Sequence, residues 1–124
     1  MKSLIAFFEI PATQFDRAVT FYEKTFQVEL SVMNCENEKM AFFPEEAGKC
    51  PGAISWTSEI EFSPSEQGVL LSLNCGNIDE TFRIIEENGG KVLVPKTKIE
   101  AEGMGYFGIF IDCEGNRIGL YSES

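Results

Sequence analysis

Glu9 is the residue whose type and setting point most directly to chemistry. It lies between Phe8 and Ile10, in an apolar run (Leu4 to Ile10) that reads as a strand. Alternation puts Phe7 and Glu9 on one face and Phe8 and Ile10 on the other. A carboxylate on the inner face of a sheet can serve as a general base or hold a cation; equally, it can pair with Arg117 or a lysine, or face solvent. Tyr121 could offer a phenolic donor to a ligand, or pack as a core or interface aromatic. Ser72 and Asn74 alternate on a face where polar groups need partners from ligand, water or one another. Ser55, Phe42 and Phe7 complete the candidate ligand-binding set, with Trp56 turned by alternation away from Ser55.

Other chemistries are excluded by what the chain lacks. Its 124 residues include no histidine, which removes His general bases, Ser-His-Asp triads and imidazole metal sites. The four cysteines (Cys35, Cys50, Cys75, Cys113) contain no CxxC pair, so neither a zinc ribbon nor a thioredoxin motif is supported. A nucleophilic cysteine would need Lys or a carboxylate as its base. The formal charge of −10 repels phosphates and argues against nucleic acid and anionic membranes as partners. No apolar run is long enough for a membrane span, and Glu9 and Pro11 interrupt the N-terminal one too soon for a secretory signal. The expectation is a soluble, cytoplasmic protein with reduced thiols.

The elements that must position these residues follow from periodicity. Phe15, Val19, Tyr22 and Phe26 mark an amphipathic helix over Thr13 to Phe26, with Thr13 as N-cap and Asp16 in a capping-box position. Val28 to Asn34, Lys39 to Phe43 and Ala53 to Thr57 read as strands. After a Ser/Pro/Gly connection the order begins again: strand Val69 to Asn74, N-cap Asn77, helix Ile78 to Glu87 ended by Asn88-Gly89-Gly90, then strands Lys91 to Val94, Tyr106 to Ile111 and Arg117 to Ser122. Pro95 is expected to close its strand. The Asp112 to Asn116 stretch is expected to turn tightly, with Gly115 and Asn116 left-handed. Lys96 to Gly105 reads as a flap or a plain connection.

The two halves superpose at an offset of 63 residues. Phe15 then meets Ile78, Val19 meets Phe82, and Glu9 meets Ser72. Half a chain this small cannot bury its own sheet face, so the halves must share a core. The whole pattern, carried by Phe8 to Phe26, Asn88 to Val92 and Asp112 to Ser122, resembles the vicinal-oxygen-chelate superfamily of glyoxalases, bleomycin-resistance proteins and extradiol dioxygenases. The resemblance implies an α+β fold of two βαβββ modules, residues 1–62 and 68–124 of one domain, cupping a mixed sheet around a cavity. It also implies a homodimer.

The family's metal enzymes carry His and Glu on the first and last strands of each module. Here those positions fall near Phe7, Ser55, Leu70 and Gly119, none of them a ligand. No metal and no cofactor are therefore expected. What remains is a small-molecule binder of the glyoxalase/bleomycin-resistance kind, taking an apolar or cationic ligand with Glu9 as anchor. The alternative is a metal-independent lyase or isomerase with Glu9 as base and Tyr121 as acid.

Overall fold

The computed structural model describes residues 4–124. It contains eight strands and two helices in two repeats of one order. The first repeat is β1 (Phe8–Pro11), α1 (Phe15–Phe26), β2 (Ser31–Asn34), β3 (Glu38–Phe42) and β4 (Gly52–Thr57). The second is β5 (Leu71–Asn74), α2 (Ile78–Glu87), β6 (Lys91–Lys98), β7 (Tyr106–Ile111) and β8 (Arg117–Ser122). Each repeat folds its strands into a separate four-stranded mixed sheet, ordered β1-β4-β3-β2 and β5-β8-β7-β6. In each, the strand before the helix pairs in parallel with the last strand, and the other pairings are antiparallel. The expected α+β architecture of paired βαβββ modules is the one observed, as two sheets rather than a single continuous one.

One apolar core serves both repeats. Ile10, Phe21, Tyr22 and Ile54 from the first join Ile78, Ile85, Phe110 and Leu120 from the second in a single buried cluster. Phe21 and Phe110 bring their ring centroids within 6.2 Å across the module boundary. The helices therefore cover the inner faces, and close approach is needed there. A Cβ on Gly108 would lie 2.6 Å from the Phe82 ring, so only glycine lets α2 seat on β7.

The turn between β7 and β8 ties the repeats together. Asp112 is buried, and its carboxylate is saturated by four donors. Oδ2 accepts from the Tyr22 hydroxyl at 2.6 Å and Asn116 Nδ2 at 3.1 Å; Oδ1 accepts from the Glu114 and Asn116 amides at 2.8 and 2.9 Å. Asn116 Nδ2 also donates to the Pro11 carbonyl, and its Oδ1 accepts from the Ser65 amide. Gly115 takes the left-handed conformation at φ +100°, whereas Asn116 does not, contrary to expectation: its side chain is committed to these bonds.

Four further expectations are corrected. Thr13 does not cap α1; the cap position is Gln14, which has no side-chain bond of its own. The acceptor comes from 100 residues away instead. Glu114 takes the Thr13 amide and hydroxyl at 2.7 and 2.8 Å, the Gln14 amide at 3.0 Å and Arg17 Nη2 at 3.1 Å. Anions belong at this positive helix end, and no local pattern could reveal this one. Pro11 lies within β1 rather than ending it. β1 is an edge strand whose Phe8 and the following Ala12 donate their amides toward β4, so the N–H that Pro11 lacks would have pointed away. Pro95 likewise lies inside β6, an edge strand whose register slips twice between Val92 and Thr97. Finally, β2 begins at Ser31, because Gln27 turns left-handed (φ 55°) and Glu23 claims the Leu30 amide.

Two stability outcomes follow. Burial alone would raise the Glu114 carboxyl, but the bonds from Thr13, Gln14 and Arg17 outweigh it and hold the group below its ordinary value. Its contribution is present above the unfolded value of about 4.3 and is lost as pH falls through the lower folded value. Glu114→Ala should therefore cost about 1–2 kcal/mol near neutrality in urea melts, with the gap to wild type narrowing toward pH 3. Tyr22 is pushed well above its ordinary value by burial and then by the Asp112 charge. Its protonated form stabilises the fold fully below about pH 10, and that contribution declines as pH rises further. Tyr22→Phe should lose about 1–3 kcal/mol, measured the same way, and flatten the alkaline limb of the stability curve.

Candidate functional site

The faces away from the helices are where the candidate residues meet. Register places Glu9 beside Ala53 and Pro11 beside Ser55 in the first sheet, and Ala53 opposite Phe42. In the second sheet Ser72 lies beside Gly119, and Asn74 beside Tyr121. Since β1 and β5 correspond, Ser55 and Tyr121 are structural counterparts, as are Ala53 and Gly119. The absence of a side chain on Gly119 matters: a Cβ there would collide with the Ser72 hydroxyl.

Ser55 is buried and donates its hydroxyl to Glu9 Oε1 at 2.8 Å. Glu9 itself is exposed, and it stands on a wall shared by two cavities. One, about 560 Å³, is a groove between the two modules, bordered by Glu9, Ile10, Phe62, Leu71, Ser72 and Arg117. The other, about 460 Å³, is a hollow beside the first sheet, where Glu9, Glu38 and Glu59 meet Ser55, Trp56 and Phe62. Both lie within the range of small-molecule sites. Trp56 thus reaches the hollow's rim despite its alternation, and the Lys39 ammonium sits 5.3 Å from its ring centroid.

The structure gathers Glu9, Ser55 and Ser72 around these spaces. Asn74 borders a third hollow of about 360 Å³, with Phe8, Phe26 and Phe43. Phe42 and Tyr121 lie on the expected faces but border none of the three, and Phe7 is exposed ahead of β1. Tyr121 is engaged elsewhere: its hydroxyl oxygen accepts the Gly105 amide at 2.9 Å. Lys98 Nζ donates to the Ile99, Met104 and Gly105 carbonyls, so the 99–105 loop is pinned from two sides.

Three contributors were missed in the sequence. Phe62 and Ile60 belong to the connection between modules, yet Phe62 walls both cavities. Their signal was apolar residues in an otherwise polar linker. Arg117 entered only as a partner for Glu9; it borders the groove but bonds to the linker, donating Nη2 to the Gly68 carbonyl at 2.8 Å. Only the tertiary path of that linker shows this.

A glyoxalase/bleomycin resistance protein from Albidiferax ferrireducens T118 superposes with a TM-score of 0.71 at 15% identity, covering 98% of this chain and 100% of that one. TnmS3, an antibiotic binding protein from Streptomyces sp. CB03234, superposes with a TM-score of 0.66 at 21% identity, covering 99% and 98%. Glyoxalase I from Zea mays gives 0.71 at 12% identity, with 95% of this chain on 45% of that one, so the chain spans about half its length. At these identities the likeness is one of fold. No curated protein matches the sequence. The model of the Glyoxalase/Bleomycin resistance protein/Dioxygenase superfamily matches residues 4–120, nearly the entire βαβββ pair just described, and the chain belongs to that superfamily.

Proposed function

We propose that the protein binds a small apolar or cationic molecule without a metal ion, with Glu9 as the polar anchor. The observation that carries this reading is the position of Glu9 on the wall between the groove and the hollow. One of its oxygens is held by Ser55, which fixes the direction of the carboxylate. Glu38 and Glu59 border the same hollow and add to a field that attracts cations, while Trp56, Ile60 and Phe62 supply apolar surface.

The donor set does not fit the metals that the fold's enzymes use. The positions implied for ligands, near Phe7, Ser55, Leu70 and Gly119, hold one hydroxyl, and Glu9, Ser72 and Tyr121 beside them add one carboxylate and two hydroxyls, where transition metals favour imidazole or thiolate. Among the described residues no three of His, Cys, Asp or Glu come together as a metal site. Nor does any observation favour the lyase or isomerase alternative, since Glu9 and Tyr121 share none of these cavities. The thiols fit a nucleophile poorly. Burial, followed by the Asp112 charge, pushes Cys113 up to about 11, and burial also raises Cys75.

The reading includes a cytoplasmic homodimer. Val69 is 94% exposed at the groove, with Ile5 and Leu70, and a second chain would cover them. The cysteines are all free, as a reducing compartment would keep them. No helix is long and apolar enough to cross a membrane.

Calorimetry with phenyltrimethylammonium and its neutral isostere tert-butylbenzene tests the anchor. The cation should bind more tightly, and Glu9→Gln should weaken it about fivefold, as expected of a partly solvated charge pair of about 1 kcal/mol, while leaving the isostere unchanged. Equal binding of the two probes, or no effect of Glu9→Gln, would sink the proposal. For the thiols, alkylation at pH 8 followed by peptide mapping should label exposed Cys35 first and Cys113 at least about tenfold more slowly. Rapid labelling of Cys113 would reopen a nucleophilic role.

A further inference from the structure

Arg117 is the one charged residue bordering the groove besides Glu9, and the anchor role leaves it unused. Its backbone amide donates to the Ser65 carbonyl and its Nη2 to the Gly68 carbonyl, so the linker fixes one edge of the guanidinium. Its Nε is buried and has no hydrogen-bond partner. Among the described residues no carboxylate lies within 4 Å of it, although the chain carries 20 acidic residues against 10 basic ones. A guanidinium stays charged at any physiological pH, and an unpartnered buried donor is costly. The complement of a guanidinium without an acidic partner is an anion that accepts its N–H groups, above all a carboxylate.

Arg117 and Glu9 border the same groove, with Ile10, Phe62, Leu71 and Ile118 among its apolar walls. We infer that the groove takes a small zwitterion with an apolar body, its ammonium toward Glu9 and its carboxylate toward Arg117. The inference rests on Glu9 being the anchor and adds an anionic end to the ligand of that same site. The volume of about 560 Å³ suits a molecule the size of a dipeptide. The charged ends of an extended dipeptide stand about 7 Å apart.

The test uses one body with its charges removed in turn. Leu-Phe with free termini, its N-acetyl form, its C-terminal amide and the doubly capped form are titrated calorimetrically into the wild-type protein. Acetylation and amidation each remove one terminal charge. The zwitterion should bind tightest, and each cap should weaken it about tenfold, as for a lost charge-assisted bond. In Arg117→Met the amide and the free acid should bind alike while acetylation still weakens binding; Arg117→Lys should recover part of the difference. Melting temperatures report whether the variants fold, and the cap series on wild type needs no variant.

If the amide matches the free acid on wild-type protein, or none of the four peptides binds, the zwitterion inference is overturned. Phenyltrimethylammonium binding then decides separately whether Glu9 still anchors cations. If acetylation costs nothing, the inference falls together with the anchor role of Glu9.

Discussion

A charge buried between two half-domains is the constraint on which the rest of the structure depends. Asp112 can sit inside only if every oxygen lone pair it presents finds a donor. Two donors are amides of its own turn, one is the Asn116 side chain, and one is the Tyr22 hydroxyl from the other module. The last is the specific one. It holds α1 at a single height against the second sheet, which apolar packing alone would leave free to slide. Glu114 then reaches the N-terminus of α1, and Asn116 reaches the end of β1 and the linker. Five residues of one turn thus set the position of a helix, an edge strand and a connection.

The groove follows from this arrangement. Both modules are joined through a core on the helix side and through the turn, and their sheets do not hydrogen-bond to each other. β1 and β5 therefore remain unpaired edges, each short and flanked by irregular chain. Short edges resist unwanted strand addition. Space bordered by residues of both strands stays open, with Phe8 to Pro11 of β1 and Leu71 and Ser72 of β5 around it. Glu9 and Ser72 are such residues, related by the repeat, but only one of them carries a charge. The pseudosymmetry of the backbone thus ends in an asymmetric site, with Glu9 and Ser55 on one side and Ser72 facing a bare Gly119 on the other.

Much of the fold was legible in the sequence because its signals are local. The apolar periodicity of Phe15 to Phe26 and Ile78 to Glu87, the Asn77 cap and the Gly89 stop need only neighbours along the chain, and they fall where expected. The repeat offset of 63 residues matches the observed starts of β1 and β5 and of both helices. Errors cluster where a distant group overrides the local one. Thr13 looked like a cap because nothing nearby competes with it, yet Glu114 took the role. Pro11 and Pro95 looked like strand ends, because a missing N–H harms a strand unless that position faces an open edge, and edges are a property of the sheet.

The candidate site divides along the same line. Sequence by itself determined the face that Glu9, Ser55, Ser72, Asn74 and Tyr121 occupy, because a strand has a period of two whatever surrounds it. It also determined the inventory, with no imidazole and an excess of carboxylates. Only the tertiary structure decided which of these residues border a common space, that Tyr121 is tied to Gly105, and that Arg117 and Phe62 belong beside Glu9. Those outcomes depend on how two sheets dock and where a linker runs. Docking is governed by contacts between residues up to 105 positions apart, which leave no periodic trace in the chain.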